Sequence, residues 1–169
     1  MRALEPDTWP DLADAALRAD IGSWLGGKLG SVRRRADLAA IDLAALLRAQ
    51  LGRALAARLD RDLPPALALP HGQAPIDYTA PEPLAAARAQ AFYGLDTTPR
   101  LAGGRVPLRL ALLSPAGRPA AITADLAAFW RGGWAETRAA LRGRYPKHDW
   151  PEEPWTSAAG SDGRRMNKA

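Results

Sequence analysis

The segment GSWLGGKL, which begins at Gly22, has the spacing of a phosphate-binding loop but lacks one required residue. In the pattern G-x-x-x-x-G-K-[ST], backbone amides surround the phosphates and the final hydroxyl binds magnesium. Gly22, Gly27 and Lys28 match this pattern. Leu29, however, replaces the hydroxyl, and the preceding run LADAALRADI is typical of a helix rather than a strand. We therefore predict a helix that ends at Gly26 and Gly27, and no ATP site.

No other group of residues indicates catalysis or metal binding. The chain has no cysteine, which excludes disulfides, thiol catalysis and thiolate ligands. His71 and His148 are far apart in the sequence, and neither has the spacing of a metal ligand. Ser114 lies in the turn-like SPAG, and Glu152 and Glu153 lie in a proline-rich segment typical of solvated carboxylates. We therefore predict no catalytic residue, no metal ligand and no cofactor site.

The net positive charge is concentrated in one part of the chain. Residues 90–150 contain nine Lys and Arg against four Asp and Glu, whereas residues 1–89 contain eleven of each sign. The net charge of +5 therefore comes from a single block. A segmental basic excess of this kind favours an anionic partner.

Cations that alternate with aromatic residues are typical of single-stranded nucleic-acid binding, because cations contact phosphates and aromatic rings stack on bases. The aromatic residues interleaved with the cations of this block include Trp130, Trp134, Tyr145 and Trp150. Alternatively these aromatics form the core, the interpretation that we favour for the helical tryptophans, and the arginines form a solvated face. The candidate nucleic-acid-binding residues are Arg100, Arg105, Arg109, Arg118, Arg131, Arg138, Arg142, Arg144 and Lys147.

The elements that position these residues begin with a helical segment, predicted over residues 1–65. Apolar residues recur at a spacing near 3.6 over residues 11–29 and again over residues 38–59, with the polar connector VRRRAD between them. Gly52 lies midway along the second run, and the pattern leaves open one long helix or two that meet there. A pair of prolines ends this half.

Residues 66–155 predict strands mixed with helices. LALP and PIDY flank the turn HGQA and predict a two-stranded ribbon, whereas the segment from Leu84 to Tyr93 predicts a helix. VPLRLALL, SPAGR and PAAIT predict a hairpin, and an apolar helical stripe from Leu126 to Leu141 follows. Gly132 and Gly133 bend or split this stripe. The predicted fold class is α+β, with a helical N-terminal half followed by a small antiparallel β-sheet with flanking helices.

The two ends of the chain have different compositions. The arm RGRYPKHDWPEEPW is typical of an extended segment held by its aromatic residues, and residues 156–169 predict a disordered tail. The first residues lack the apolar run of a signal peptide, and no segment is long and apolar enough to span a bilayer. We therefore expect a cytoplasmic protein without a membrane partner.

Four segments of the second half occur in an order that identifies a family. They are TPR-x-AGGRVP from Thr98, LLSPAGRP from Leu112, DLA-x-FWRG from Asp125 and RGRYPKH-x-WP from Arg142. Together they resemble the C-terminal region of the HrpB-type bacterial ATP-dependent helicases, in the DEAH-box class. The resemblance is strong over about residues 74–154, and it is weaker but collinear from about residue 11.

The resemblance implies an accessory region that acts beside an ATP-driven motor. Helicases of this kind have two RecA-like domains that carry the phosphate loop and the DEAH motif, followed by helical and winged-helix domains. None of the motor motifs occurs in these residues, so we expect a detached C-terminal piece. ATP and magnesium would belong to the motor, and helicase activity would not be carried by this chain alone. The implied role is to bind or guide single-stranded nucleic acid, in particular RNA.

A docking module is the alternative function. The basic loop DTTPRLAGGR and the part YPKHDWPEEPW of the arm would then pack on the helicase motor or on a partner protein. This hypothesis predicts that Trp150 and Trp155 are exposed until docking covers them. The residues leave the oligomeric state open.

Overall fold

The computed structural model of the protein describes residues 1–157, and the chain divides into two compact units. The first unit is Met1–Leu63, and the second begins at Pro64. The predicted disordered tail, residues 156–169, lies outside the described residues from position 158 onward. In the part of the chain that the structure describes, no helix has the length and apolar character to cross a membrane.

The first unit is helical. The polar connector predicted between its two helical runs contains the start of a short helix at Arg35. The Asp37 carboxylate stabilises this start by accepting hydrogen bonds from the backbone N–H groups of Arg33 and Arg34, both at 2.9 Å. These bonds satisfy amide groups that the first turn of a helix leaves without partners. The helices of this unit are α1 (Asp14–Ala19), α2 (Ile21–Leu29), α3 (Arg35–Ala39) and α4 (Leu43–Asp62).

Gly26 and Gly27 lie inside α2, so the prediction that they end the helix is wrong. Glycine costs about 1 kcal/mol per residue in a helix interior, which tertiary contacts can outweigh. Such a contact is present here, because Trp24 is half-buried and its indole N–H donates to the Leu17 carbonyl at 2.9 Å. The helix therefore continues to Leu29.

Helix α4 is kinked at Gly52, where φ is 69° and ψ is 167°. This backbone conformation is essentially restricted to glycine. Arg48 and Asp60, twelve residues apart, form a two-bond ion pair across the kink. In a straight helix these residues would be about 18 Å apart along the axis. The structure thus resolves the alternative left open by the sequence, because two helical arms meet at Gly52.

The second unit contains a five-stranded sheet, and the α+β class is confirmed. Its strands lie in chain order, and all neighbours are antiparallel except the third and fourth, which are parallel. The sheet is therefore mixed rather than wholly antiparallel, because residues 89–108 cross from one end of the parallel pair to the other. The strands are β1 (Ala66–Leu69), β2 (Gly72–Asp77), β3 (Leu84–Arg88), β4 (Arg109–Leu113) and β5 (Pro119–Thr123).

Two hairpins of this sheet match the sequence predictions. β1 and β2 form the predicted ribbon, although its turn is shorter than HGQA because Gly72 already pairs with Leu69. β4 and β5 form the second hairpin, with Leu110 opposite Thr123. Pro107 precedes β4, where its missing amide removes no bond from the sheet.

The predicted helix from Leu84 to Tyr93 is wrong. The segment forms β3 and then a short 3-10 turn, Ala89–Phe92. Its alanine-rich composition favours a helix locally, but β3 pairs with β2 on one side and β4 on the other. Ala85 and Ala89 are completely buried. Small side chains thus let the neighbouring elements approach closely, and tertiary contacts override the local preference.

The predicted apolar stripe forms two helices, α5 (Leu126–Arg131) and α6 (Trp134–Arg144), separated at Gly132 and Gly133. Asp125 caps α5, because its carboxylate accepts a hydrogen bond from the Ala128 amide at 2.9 Å. The stripe faces the core of the second unit. The large, completely buried side chains of this core include those of Trp134, Phe92, Leu108, Leu110, Leu112 and Leu126.

Candidate nucleic-acid interface

The three tryptophans of the basic block are core residues. Trp130, Trp134 and Trp150 are 4%, 1% and 6% exposed. Each indole N–H donates to a backbone carbonyl at 2.8 to 2.9 Å. The acceptors of Trp130, Trp134 and Trp150 are the carbonyls of Leu95, Pro151 and Tyr145, respectively. A nucleic-acid base therefore has no access to these rings. The favoured core interpretation holds, and the stacking role is wrong for these three residues.

Tyr93 extends this aromatic cluster. Its ring meets Trp130 and Trp134 edge-to-face, with centroids 6.3 and 6.0 Å apart, an arrangement worth about 0.5–1.5 kcal/mol per pair. The Tyr93 hydroxyl donates to the Asp149 carbonyl at 3.3 Å. Burial is the main cause that raises the pKa of Tyr93 far above its usual value, and the nearby Asp149 charge adds to it. The phenol is thus a neutral part of the core.

The first three residues of the predicted extended arm belong to α6, and the rest of the arm is held along the second unit, as its aromatic residues predict. The Gly94 amide donates to the Pro154 carbonyl at 2.8 Å, in addition to the bonds from Tyr93 and Trp134. Trp155 is half-buried, whereas Trp150 is buried. The docking hypothesis required both to be exposed, so its prediction for Trp150 is wrong.

Arg138 is a structural residue. Its Nε donates to the Trp150 carbonyl at 2.8 Å, and its Nη2 pairs with the Glu152 carboxylate at 2.9 Å. Only 22% of its side chain is exposed. The guanidinium therefore ties α6 to the arm and presents little surface to a ligand.

The other eight candidate cations are exposed, but they do not form one cluster. Arg109 begins β4, and Arg118 lies in the turn after β4, so they occupy opposite ends of that strand. At about 3.3 Å per residue, the strand separates them by well over 10 Å. Arg109 also has an acidic neighbour, because its Nε lies 3.7 Å from the exposed Glu82 carboxylate.

Arg100 and Arg105 are brought together on one turn. Each arginine immediately precedes one residue of the bridge between Leu101 and Val106. Arg100 donates from Nε to the Gly104 carbonyl at 2.7 Å, and Arg105 donates from Nε to the Ala102 carbonyl at 3.0 Å. Two exposed guanidinium groups are thereby attached to the same short piece of backbone.

Arg142, Arg144 and Lys147 lie at the end of α6 and in the turn after it. The Arg144 guanidinium lies 5.8 Å from the centroid of the Tyr145 ring, a cation–π distance. Tyr145 is half-exposed, so part of its ring remains accessible. This end of α6 therefore combines cations with an aromatic ring, as the sequence pattern predicts for the block as a whole. Arg131, also exposed, ends α5.

Arg88 is an exposed cation that the sequence did not single out. It ends β3 and pairs with Leu113, which in turn pairs with Pro119, the residue next to Arg118. The segment was predicted to be a helix, and a helical placement gave no reason to group Arg88 with the β4–β5 turn. No local signal in LAAAR would have revealed this neighbour.

The loop-like segment GSWLGGKL forms α2. In a helix the amides point along the axis toward carbonyls of the preceding turn, so they do not surround a phosphate group. Lys28 lies in the last turn and is exposed. Among residues 1–157, no group of three or more His, Cys, Asp and Glu side chains is placed to hold a metal ion.

Comparisons with known proteins give a consistent result. The HrpB_C family, described as ATP-dependent helicase C-terminal, matches residues 24–154. The ATP-dependent RNA helicase HrpB of Escherichia coli (strain K12) is 41% identical over 152 residues, which cover 89% of this chain and 19% of that protein.

Two solved structures have the same fold. The crystal structure of the E. coli DExH-box NTPase HrpB matches with a TM-score of 0.83 at 40% identity, over 89% of this chain and 19% of that one. The crystal structure of the E. coli DEAH/RHA helicase HrpB matches with a TM-score of 0.67 at 38% identity, over 84% and 18%. The chain thus spans about a fifth of the length of these relatives.

Proposed function

This chain belongs to the family of HrpB-type ATP-dependent helicase C-terminal regions, and we propose that it binds single-stranded RNA beside the motor of such a helicase. The observation that carries the proposal is the excess of exposed cations in residues 90–150. RNA is favoured over DNA because the E. coli relative is named an RNA helicase. ATP hydrolysis, with its magnesium ion, is assigned to the motor, and the location is cytoplasmic.

Phosphate contacts would dominate this binding. The three tryptophans of the block are buried, whereas Tyr145 is half-exposed and offers a ring for stacking. Affinity that depends on phosphates has little sequence preference and falls as salt displaces the protein. If about four phosphates are contacted, the logarithm of the association constant falls with the logarithm of salt concentration with a slope of about −3.

Fluorescence anisotropy with a labelled single-stranded RNA tests the proposal. The variant Arg118→Glu/Arg131→Glu should bind more weakly and show a shallower salt slope, because both residues are exposed cations of the basic block. Arg18→Glu/Arg53→Glu is the matched control, since these exposed residues of the first unit give the same change in net charge. Absence of binding at low salt, or equal loss in both variants, would refute the proposal.

Docking on the motor is the second candidate, and a different observation now favours it. The first unit buries few apolar side chains, and Ile21, Leu38 and Leu43 remain 48%, 49% and 48% exposed. A motor surface that covers these residues would bury apolar area at about 25 cal/mol per Å². Size-exclusion chromatography with the motor region of the E. coli relative tests this candidate. Co-elution that Leu38→Ser/Leu43→Ser abolishes supports docking, whereas separate elution of the wild-type chain rejects it.

A further inference from the structure

The turn between Arg100 and Val106 is unusually well fixed for an exposed basic segment. Leu101 and Val106 exchange two backbone hydrogen bonds, at 2.9 and 3.1 Å, and close the turn. Leu101 and Ala102 are only 5% and 2% exposed, so the turn is anchored in the core. The segment before it is held as well, because the Thr98 hydroxyl accepts a hydrogen bond from the Leu126 amide at 2.8 Å.

The backbone of this turn is left-handed at three consecutive residues. Ala102, Gly103 and Gly104 have φ values of 51°, 65° and 90°. Ala102 is the one residue other than glycine with a positive φ in the described part of the chain. A strained residue of this kind persists where the surrounding structure over-determines it, and such residues concentrate at functional sites. The contacts of Leu101 and Val106 supply that constraint here.

The side chain of Arg100 is oriented by the same turn. Its Nε donates to the Gly104 carbonyl at 2.7 Å, which fixes the plane of the guanidinium group. This bond uses Nε and leaves the N–H groups of Nη1 and Nη2 free of it. These two nitrogens have the geometry to donate to two oxygens of one phosphate group. Arg100 thus gives up much of its rotamer freedom on folding, before any ligand arrives.

We propose that this turn is a preorganised phosphate site, in which Nη1 and Nη2 of Arg100 bind two oxygens of one phosphodiester. The inference rests on the proposed RNA-binding function and deepens it, since it selects one contact among eight exposed cations. Arg105, whose Nε donates to the Ala102 carbonyl of the same turn, contributes further positive charge. Arg131 differs from Arg100 because no hydrogen bond of its side chain occurs among residues 1–157, so it acts as a flexible charge.

Substitutions that conserve charge distinguish a preorganised fork from a simple cation. Lysine keeps the charge of Arg100 but lacks both the Nε–H that bonds Gly104 and the planar fork. We expect Arg100→Lys to bind a labelled oligouridine about three- to fivefold more weakly at an unchanged salt slope. Arg100→Gln keeps an amide donor for the turn but loses the charge. It should bind about tenfold more weakly, with the slope reduced in magnitude by about 0.7.

Arg131→Lys and Arg131→Gln are the matched controls, measured by the same anisotropy titration. Arg131→Lys should lose less affinity than Arg100→Lys does, because a flexible charge depends little on the planar fork, and Arg131→Gln should lower the slope with a smaller loss of affinity than Arg100→Gln. Near-UV circular dichroism confirms that each variant keeps its tertiary packing. Wild-type affinity in Arg100→Lys overturns the preorganised site and leaves the proposed function intact. A wild-type chain that binds no oligouridine at low salt overturns both.

Discussion

Gly94 lies close to the end of the arm, and its substitution gives a quantitative test of that contact. Gly94 has a φ of 83°, and its amide donates to the Pro154 carbonyl at 2.8 Å. A Cβ atom added at this position would lie 2.6 Å from the Ser157 carbonyl oxygen. Because that atom belongs to the backbone two residues beyond the arm, Gly94→Ala forces this end of the arm to move away.

The expected loss has two parts. An alanine held in the left-handed region costs about 1–2 kcal/mol, although alanine also restricts the unfolded chain and returns about 0.4–1 kcal/mol. Movement of the arm also breaks the hydrogen bond from Gly94 to Pro154, worth about 0.5–1.5 kcal/mol. Gly117→Ala is the matched control, because Gly117 has a φ of 77° and no atom within 4 Å of the added Cβ. The control loses only the first part.

Urea denaturation followed by tryptophan fluorescence measures both variants. The arm carries Trp150, so its displacement also changes the emission of the folded protein. We expect Gly94→Ala to lose about 1 kcal/mol more free energy of unfolding than Gly117→Ala, with a shift of folded-state emission in Gly94→Ala alone. Equal losses in the two variants, with unchanged emission, would refute the close contact between Gly94 and the arm.

Three further outcomes are expected. Gly52→Ala should lower the free energy of unfolding by about 1–3 kcal/mol, because alanine resists the kink conformation, and an unchanged urea midpoint would contradict the kink. Trp134→Phe loses the N–H that bonds the Pro151 carbonyl and should cost about 1–3 kcal/mol by thermal unfolding, whereas a neutral result would show that this bond is not made. Burial raises the pKa of Tyr93 in the folded protein above its value of about 10 in the unfolded chain. The contribution of Tyr93 to stability is therefore complete below about pH 10 and is lost as the pH rises further. The urea midpoint should therefore fall more between about pH 9 and 11 in the wild type than in Tyr93→Phe, and parallel pH profiles would contradict this assignment.

The sequence predicted those parts of the fold whose signals are local. The stripe from Leu126 to Leu141 has helical spacing, and Gly132 and Gly133 mark its division, so both features were accessible from the pattern. The β4–β5 hairpin was predicted because alternating apolar residues flank a turn signal. Strand β3 was not predicted, because an alanine-rich run favours a helix locally. It is a strand because β2 and β4 supply hydrogen bonds on its two sides.

The candidate interface was predictable in composition but not in detail. The exposure of arginines in polar loops can be predicted from the sequence. The structural role of Arg138 cannot, because it depends on Trp150 and Glu152, which lie 12 and 14 residues away. The helical spacing of Trp130 and Trp134 favoured the core, whereas Trp150 has no such spacing and its burial depends on contacts that the sequence does not show. Side-chain partners that are distant in sequence leave no trace in local spacing, and this is where the predictions failed.

The parallel pairing of β3 with β4 has a consequence for the order in which the protein folds. The hairpins β1–β2 and β4–β5 join residues that are near in sequence, and such hairpins form in about 1–10 μs. The parallel pair instead requires closure of the crossover 89–108, a slower event because its entropic cost precedes its contacts. The turn that carries Arg100 lies on this crossover. The bonds within the turn are local, but its anchoring through the buried Leu101 and Ala102 is complete only when the core of the second unit has formed, so we expect the proposed phosphate site to become rigid after the hairpins have formed.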